Sequence, residues 1–497
     1  MNIATIVDSH PDEAPALISR GHVTTYGDLR RQVSELRGGL TRLGVAPGER
    51  VALVSANNWF FVVSYLAIVG VGAVVVPLNP ASPSRELAKE LGTIGARVAI
   101  VGPTGRPAAE GLDRAALGVE HLLAPERVGV VGAEPLEALF PGPSTPVVDR
   151  GEDDLAVLIF TAGTAGSPKA AMLTHGNLRS NLEQVQQHPG RALQQSDVSL
   201  GVLPLFHIFG LNIVLGLSLF AGGSVVLVER FDPVAALETI ASQGVTVVAG
   251  APPMFVSWLG LPQGHGHELE GIRLAISGAA PLSAEVAEAF QERFGVTIHE
   301  GYGLTEASPA VTSSVAAGPA KPGSIGVPLP GVEVRLVDGD GEDVLGGDDG
   351  EIWVRGPNVF AGYWHNDEAT KAALTPDGWL RTGDVAVADD DGWLWIVDRA
   401  KDVIIVSGFN VYPAEVEEAL AEHPGVADVA VVGVAHPHTG EAVRAYVVPV
   451  PGYVLEEDEL IEFCSVRLAR YKCPTKISFV DELPRSVAGK VLRRVLR

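Results

Sequence analysis

Residues 160–175 read FTAGTAGSPKAAMLTH: an apolar residue, then small, glycine and hydroxyl-bearing residues around a single lysine. A Walker P-loop needs G-x-x-x-x-G-K-[ST] with a helix directly after it. Here Gly163 and Gly166 are only three positions apart, Lys169 follows a proline, and AAMLT is typical of a strand. The stretch therefore predicts a hairpin-like loop between two strands, whose hydroxyl groups, backbone N–H groups and lysine suit a polyphosphate.

Short, continuously apolar runs recur on both sides of this loop and alternate with helical or loop-like stretches. Such runs are typical of strands buried on both faces of a mostly parallel α/β sheet. The runs are VALVSA (51–56), RVAIVG (97–102), LAVLIF (155–160), SVVLVE (224–229), VTVVAG (245–250) and RLAISG (273–278).

Residues 59–78, WFFVVSYLAIVGVGAVVVPL, are long and apolar enough to raise the question of a membrane span. Gly70 and Gly72 interrupt the run, and β-branched residues follow them. We therefore predict a buried helix that ends near Gly70 and leads into a strand, within a βαβ unit. A membrane-embedded carrier built around this segment remains the alternative.

The composition limits the partners. The 497 residues include 60 acidic and 36 basic side chains, a formal net charge of -24, which disfavours nucleic acid as a ligand. An anionic substrate then needs a local cluster of cations. The two cysteines, Cys464 and Cys473, form no CxxC pair and indicate neither a disulfide framework nor a zinc site. The acidic first residues lack a secretory signal pattern, so we expect a cytoplasmic protein.

The pattern changes twice along the second half of the chain. After Gly323, alternating strands separated by Gly/Asp turns predict a small antiparallel β-rich unit. Past Asp398, a helix, two strands, a helix over 457–470 and a basic tail predict a separate α+β domain. We therefore predict an α/β fold. Its large N-terminal domain, residues 1–397, has two mostly parallel α/β subdomains and a β-rich subdomain from about residue 323, and a small α+β domain, residues 398–497, follows.

Seven motifs occur in a fixed order. They are TAGTAGSPKAAMLTH (161–175), PLFHIFG (204–210), SGAAPL (277–282), GYGLTE (301–306), GWLRTGD (378–384), DRAKDVIIVSGFNVYPAEVE (398–417) and PRSVAGK (484–490). In order and spacing they resemble the adenylate-forming superfamily of acyl-CoA synthetases, luciferases and peptide-synthetase adenylation domains. The resemblance covers essentially the whole chain and is strongest to bacterial fatty-acid–CoA ligases.

The resemblance implies a two-step reaction. ATP, with Mg²⁺, activates a carboxylic acid to an acyl-adenylate, and coenzyme A then displaces AMP. It also implies which residues bind the nucleotide: Thr161, Ala162, Gly163, Thr164, Ala165, Lys169, Gly278, Ala279, Ala280, Gly301, Tyr302, Gly303, Asp384 and Arg399. Among these, Tyr302 is expected to stack on adenine, Asp384 to accept the ribose hydroxyls and Arg399 to reach ribose or phosphate.

The resemblance also assigns the catalytic residues. Lys490 is expected to bridge the carboxylate and the α-phosphate, Thr305 to contact the α-phosphate, and Glu306 to hold Mg²⁺. His207 is expected beside the substrate carboxylate as an orienting or gating residue, not a base. The small domain is expected to rotate about Lys401. In one orientation it brings Lys490 to the active site, and in the other it brings the segment around Gly408 and Phe409, on the coenzyme A side.

The acyl pocket is expected to form from Ile208, Phe209, Asn212, Ile276 and Pro309. Hydroxycinnamate–CoA ligases usually present a tyrosine at the position of Phe209 and often a lysine at that of Ile276. Without these polar groups a buried phenol hydroxyl lacks a partner, which favours a medium- or long-chain fatty acid over a hydroxycinnamate.

The phosphate loop departs from the usual TSGTTGxPKG at Ala162, Ala165 and Ala170, and two of these alanines replace hydroxyl donors. We expect weaker ATP binding, and a non-catalytic nucleotide-binding relative remains an alternative. A second alternative is an acyl-AMP ligase that loads a carrier protein. The expected partners are small molecules. Peripheral membrane contact through the basic C-terminal tail is an open possibility. The protein is expected to be either a monomer or a homodimer.

Overall fold

The structure is a computed structural model that describes residues 1–161, 169–188, 192–262, 264–315, 321–344, 347–399, 403–484, 491 and 493–496. In these ranges the strands form four sheets of seven, nine, four and five strands. Two mostly parallel sheets, one antiparallel sheet and a separate C-terminal sheet confirm the predicted α/β fold class.

The seven-stranded sheet contains the β-hairpin that flanks the phosphate loop. Its neighbours pair in parallel except for the last strand, which runs antiparallel and pairs Thr161 with Lys169. In spatial order the strands are Glu134–Pro135, His121–Ala124, Val98–Val101, Arg50–Val54, Val74–Leu78, Leu155–Thr161 and Lys169–Thr174.

The nine-stranded sheet has six parallel strands in its centre and antiparallel strands at both ends. In spatial order they are Val327–Pro328, Ala310–Ser313, Ile298–Gly303, Leu274–Ser277, Val247–Gly250, Val198–Gly201, Ser224–Leu227, Pro15–Ser19 and His22–Thr25. The central strands are nearly all buried, which agrees with their continuous apolar sequence.

Helices pack around these two sheets. They are Tyr26–Arg42, Trp59–Gly70, Ser84–Ile94, Arg106–Glu110, Arg114–Leu117, His175–Gln187, Leu217–Ala221, Pro233–Gln243, Pro252–Leu259, Ala284–Phe294 and Asp367–Ala373. A π-helix, Phe209–Gly216, precedes Leu217–Ala221. The helix after the phosphate hairpin begins with a capping box, in which Thr174 and Asn177 each bond the other's backbone N–H.

Residues 59–78 are a helix and a strand, as predicted. The helix Trp59–Gly70 begins at Asn58, whose side chain accepts a hydrogen bond from the N–H of Phe61, and the strand Val74–Leu78 follows. Gly72 joins them with a φ of +83°, a conformation that favours glycine. Across the described ranges, no helix has both the length and the apolar character needed to cross a bilayer.

The antiparallel four-stranded sheet consists of Glu333–Val337, Gly350–Arg355, Leu380–Ala388 and Leu394–Arg399. Its first strand begins ten residues after the predicted start near 323, because Val327–Pro328 still pairs with the nine-stranded sheet. The predicted domain boundary at 397/398 falls within its last strand.

The C-terminal part has its own sheet and core. Its strands are Ile404–Val406, Phe409–Val411, Val426–His436, Gly440–Pro449 and Lys476–Phe479, and its helices are Pro413–Ala421 and Glu457–Ser465. The second helix was predicted to continue to Arg470. It ends at Ser465 because the backbone N–H of Ala469 donates instead to Glu86 of the N-terminal domain, at 2.7 Å.

Candidate active site

The main cavity, of about 460 Å³, lies where the two large sheets, the four-stranded sheet and the hairpin 404–411 meet. Two parallel strands, Leu274–Ser277 and Ile298–Gly303, end at this cavity, which is the usual ligand position in α/β sheets. It is lined by the predicted residues Thr161, Lys169, His207, Ile208, Phe209, Ile276, Gly278, Ala279, Ala280, Gly301, Tyr302, Gly303, Thr305, Glu306, Pro309, Asp384 and Gly408.

Other predicted residues are not placed at this cavity. Ala162, Gly163, Thr164, Ala165, Lys401 and Lys490 lie outside the described residues, as does the side chain of Arg399. The backbone of Arg399 pairs with Asp384 at the end of the four-stranded sheet.

Asn212 is a correction to the predicted acyl pocket. Its side chain is buried in the π-helix and donates to the carbonyl oxygens of Leu178 and Ser308, at 3.2 and 2.7 Å. The amide is therefore used to join three segments of the N-terminal domain and does not line the cavity.

Tyr302 and Asp384, predicted to bind adenine and ribose, are brought together. The hydroxyl group of Tyr302 donates to Oδ2 of Asp384 at 2.8 Å, although the two residues belong to different sheets. The contact orients the Asp384 carboxylate towards the cavity that both residues line. A carboxylate held in this way can accept two hydroxyl groups of a sugar.

Glu306 follows the strand Ile298–Gly303 in a short 3₁₀ helix, Thr305–Ala307. Its Oε1 accepts a hydrogen bond from the hydroxyl of Tyr363 at 2.6 Å, and Lys169 Nζ lies 5.4 Å from the centre of the Tyr363 ring. Burial, and next the charge of Glu306, raises the pKa of Tyr363, so its hydroxyl remains a donor. A lysine and a carboxylate thus flank one tyrosine at the phosphate end of the cavity.

This arrangement fits an ATP-bound Mg²⁺ ion. Mg²⁺ usually keeps several waters and binds one or two carboxylates together with substrate phosphates. Glu306 provides one such carboxylate, and the described residues contain no group of three or more His, Cys, Asp or Glu side chains that could hold a metal by itself.

His207 is half-buried at the cavity wall and uncharged at neutral pH. Burial lowers its pKa to about 4, and its Nδ1 accepts a hydrogen bond from the backbone N–H of Phe209 at 3.3 Å. A neutral imidazole with Nδ1 as acceptor carries its proton on Nε2. The ring can donate one hydrogen bond but supplies no positive charge.

The hairpin of Ile404–Val406 and Phe409–Val411 extends from the C-terminal domain to the cavity. A Cβ atom on Gly408 would lie 3.1 Å from Cβ of Ala251 and 3.5 Å from Cβ of Ala279. Phe409 does not line the cavity but its ring packs edge-on against His207, with 6.3 Å between ring centres, and stacks on Tyr471 at 4.5 Å. The C-terminal domain is thus docked with Gly408 at the cavity.

Four of the predicted acyl residues, Ile208, Phe209, Ile276 and Pro309, line the main cavity. The Phe209 ring packs on Gly278, where a Cβ atom would be only 3.0 Å from it, and Ile276 is partly buried beside it. No charged side chain is contributed by these two positions.

Among the lining residues that were not predicted from the sequence are the ionisable Glu300, Tyr363 and Tyr412. Burial raises the pKa of Glu300 to about 7, and its carboxylate accepts a hydrogen bond from the N–H of Leu282. Glu300 directly precedes the motif GYGLTE, and Tyr412 belongs to DRAKDVIIVSGFNVYPAEVE, so the motifs were a signal that could have indicated both residues. Tyr363 lies in AGYW, outside every motif, and no local signal indicated it.

Comparisons with known proteins identify the family to which the chain belongs. Residues 4–364 match the model of the AMP-binding enzyme family, and residues 415–490 match the AMP-binding enzyme C-terminal domain. The chain belongs to the AMP-binding enzyme family. Together with relatives that are named feruloyl-CoA synthase and long-chain-fatty-acid–CoA ligase, this match identifies the chain as an acid–thiol ligase that forms AMP.

Similar proteins differ in the acid that their names specify. A feruloyl-CoA synthase of Amycolatopsis sp is 40% identical over 97% of this chain and 95% of its own length. A long-chain-fatty-acid–CoA ligase of Escherichia coli O157:H7 is 36% identical over 98% and 91%. The solved amide bond synthetase McbA of Marinactinospora thermotolerans is 31% identical, covers 100% of this chain and 99% of its own, and has a TM-score of 0.91.

Proposed function

We propose that this AMP-binding enzyme converts an apolar carboxylic acid to its coenzyme A thioester through an acyl-adenylate bound in the main cavity. The observation that supports this proposal most directly is the set of contacts in one cavity: Tyr302 to Asp384, and Tyr363 to Glu306. Thr161, Lys169 and Glu306 provide the phosphate end, and Phe209 and Ile276 the acyl end. Coenzyme A and ATP with Mg²⁺ are the co-substrates.

In the first step, a carboxylate oxygen of the acid attacks the α-phosphorus of ATP. The bond from this phosphorus to the bridging oxygen breaks, and pyrophosphate leaves. Both reactants are anions, so the developing charge needs cations and hydrogen-bond donors. We assign this role to Lys169, Thr305 and Lys490, with Glu306 holding the Mg²⁺ that comes with ATP. The neutral His207 orients the acid by donating from Nε2.

In the second step, the thiolate of coenzyme A attacks the acyl carbon, and AMP leaves with the electron pair of the broken C–O bond. We propose that the docked orientation of the C-terminal domain serves this step, because Gly408 and Asn410 of that domain line the cavity. A side chain at residue 408 would occupy space beside Ala251 and Ala279. Rotation about Lys401 would then bring Lys490 in for the first step.

Two classes of acid are candidates. A medium- or long-chain fatty acid is supported by the apolar Phe209 and Ile276 and by the fatty-acid–CoA ligase relatives. A hydroxycinnamate is supported by the 40% identity to feruloyl-CoA synthases. Each methylene transferred from water to the apolar pocket contributes about 0.8 kcal/mol, or roughly fourfold in specificity, so a fatty-acid enzyme should show a rising chain-length profile.

The experiment measures AMP and thioester formation with MgATP, with and without coenzyme A, for fatty acids of increasing length and for cinnamates. Acid-dependent AMP formation with a matching amount of acyl-CoA supports the proposal. AMP formation from acids without transfer to coenzyme A would favour a carrier-protein acceptor. No AMP formation with any acid would favour a non-catalytic nucleotide-binding protein and overturn the proposal.

A further inference from the structure

Three side chains separate the main cavity from a second, smaller cavity of about 50 Å³. Val185, Ile213 and Ile276 line both cavities. They belong to three different elements: a helix, the π-helix and a central strand of the nine-stranded sheet. Because each of them borders both spaces, the three side chains form a wall between the cavities, and we call them the wall residues.

The small cavity behind the wall is apolar. Twelve of its fifteen lining side chains are aliphatic, and the exceptions are Gln186, His188 and Ser199. All three of these side chains form hydrogen bonds with other groups of the protein. At roughly 10–15 Å³ for each water-sized group, the cavity has room for about three to five such groups. Its chemistry therefore suits a short piece of alkyl chain.

The wall is fixed by the backbone that carries it. Ile276 lies in a strand whose neighbours pair with it on both sides, through Ala249 and His299. Ile213 is only 8% exposed and follows Asn212, whose amide joins the π-helix to two other segments of the N-terminal domain. Close-packed side chains on such a backbone do not move aside without cost. An acyl chain that reaches the wall therefore stops there.

We propose that Ile213 is a specificity-determining residue that, with Val185 and Ile276, ends the acyl pocket and makes acids that extend past the wall poor substrates. Ile213 lies four positions after Phe209 in the same π-helix. The inference rests on the proposed ligase function and narrows its substrate class to compact acids, which have a short or medium chain or a single aromatic ring. Long-chain fatty acids are excluded.

A wall gives a particular dependence on chain length. Up to the wall, each methylene transferred from water should raise specificity roughly fourfold. A longer chain can fit only if it bends or if its carboxylate is displaced from the α-phosphate, and such displacement lowers the rate. The profile should therefore pass through a maximum and then fall.

The test measures kcat/KM for acyl-CoA formation by the full-length enzyme with MgATP and coenzyme A. Two series of acids are compared: straight-chain acids from butanoate to hexadecanoate, and cinnamates with hydrogen, methoxy or butoxy at the para position. In the series that the wild type uses, kcat/KM should fall by about tenfold or more within two carbons beyond the best acid. Hexadecanoate should be a poor substrate.

Ile213→Ala should open the wall and join the small cavity to the acyl pocket. The best acid should then be two or more carbons longer, and the kcat/KM ratio of that acid to the wild-type optimum should rise by about tenfold or more. Val185→Ala should shift the profile in the same direction, so the test does not depend on the folding of one variant. Adding Ala249→Val to Ile213→Ala narrows the small cavity again and should partly reverse the shift.

Val214→Ala is the matched control. Val214 is buried next to Ile213 and lines the small cavity but not the main one, so its truncation removes core packing and leaves the wall closed. The profile of this variant should match that of the wild type. A wild-type preference that rises up to hexadecanoate would overturn the proposal. So would a maximum that stays in place in Ile213→Ala and Val185→Ala, or one that Val214→Ala shifts equally.

The failure of the proposed function gives a different result. In that case no acid of either series supports AMP or acyl-CoA formation in the wild type or in any variant. Turnover with a profile that the wall substitutions leave unchanged would keep the ligase function and remove only the role of Ile213.

Discussion

Where we propose that the phosphates of ATP bind, the hydroxyl of Tyr363 donates a hydrogen bond to the carboxylate of Glu306. Glu306→Gln keeps the size and an acceptor oxygen but removes the negative charge that suits Mg²⁺. We expect adenylate formation to fall by at least about a hundredfold, the scale found when one transition-state contact is removed. Acid-dependent pyrophosphate release measured across Mg²⁺ concentrations should also show a higher Mg²⁺ requirement.

Tyr363→Phe is the matched control for this prediction. It removes only the hydroxyl group that orients Glu306 and keeps the ring near Lys169. We expect a loss of about tenfold or less, because one hydrogen bond to a charged group is affected and the charge remains. Equal losses in the two variants, or an unchanged Mg²⁺ requirement in Glu306→Gln, would contradict the assignment of Glu306.

Gly408 lines the cavity from the C-terminal domain and has little room for a side chain. Its φ is +87°, and an added Cβ would lie 3.1 Å from Ala251. Gly408→Leu should therefore block the approach of the thiol, reducing thioester formation from supplied acyl-adenylate by about a hundredfold or more, while pyrophosphate release in the first step changes little.

The control for this variant is Gly452→Leu. Gly452 has a φ of +85° but nothing within 4 Å of an added Cβ, so it carries the same backbone strain away from the cavity. If Gly452→Leu impaired thioester formation as much as Gly408→Leu, backbone strain and not the path of the thiol would explain the effect.

At the scale of elements, the sequence predicted most of what local patterns can specify. The helix and strand of residues 59–78 and the hairpin on both sides of residues 162–168 follow from runs of apolar residues and glycine positions, and so do the strands Arg50–Val54, Val98–Val101, Ser224–Leu227, Val247–Gly250 and Leu274–Ser277. Ala170, at a position where the related motif usually has glycine, is buried in a strand and packs with the core.

Elements whose ends depend on distant contacts were predicted less well. The helix Glu457–Ser465 stops five residues early because Ala469 donates to Glu86, which is almost four hundred residues away in the chain. Asn212 was assigned to the pocket from its motif, but Leu178 and Ser308 determine its position. Tyr363 likewise reaches the main cavity through tertiary packing that no local pattern encodes.

The helix Ser84–Ile94 carries a pH-dependent contact with the C-terminal domain. Burial, and next the charge of Glu86, raises the pKa of Glu90 to about 8, with Lys472 opposing and Glu415 adding to the shift. Further ionisable groups at this contact include Arg85 and Lys89 of the same helix and Glu422, Tyr471 and Cys473 of the C-terminal domain. Undocking would return Glu90 towards its ordinary pKa near 4.5.

At a pH between these two pKa values, Glu90 therefore takes up a proton when the C-terminal domain docks. The contribution of Glu90 to the stability of the docked state is fully present below its ordinary pKa and is lost as the pH rises through about 8. Energy transfer between fluorescent labels on the two domains should report less docking at pH 9 than at pH 6 in the wild type. Glu90→Gln should lose this pH dependence. An identical pH profile in Glu90→Gln would contradict the role of Glu90.

For the whole molecule, a buried ion-pair cluster joins the two domains. Lys472 Nζ lies 2.5 Å from Oε1 of Glu86 and 2.8 Å from Oε1 of Glu415, and all three side chains are nearly fully buried. Removing one partner from a buried pair is costly because it leaves the other charge uncompensated. We therefore expect Glu86→Gln to slow thioester formation by about tenfold or more, with adenylate formation unchanged or faster.

The same interface provides a control pair. Arg85 lies 2.5 Å from Glu422 across the two domains, but both side chains are substantially exposed. Exposed pairs contribute little, so Arg85→Gln should change either step by no more than about fivefold. Equal effects of the two substitutions would show that the docked orientation does not depend on the buried cluster.

The central claim is that one cavity carries out two successive reactions, adenylation and transfer to coenzyme A. A rapid-quench experiment tests it most directly: enzyme, MgATP and a substrate acid are mixed first, and coenzyme A is added second. We predict that acyl-adenylate accumulates with one equivalent of pyrophosphate, and that coenzyme A then converts it to acyl-CoA with release of an equal amount of AMP. Acyl-CoA formation without a preceding adenylate, or an adenylate that coenzyme A does not consume, would contradict the account.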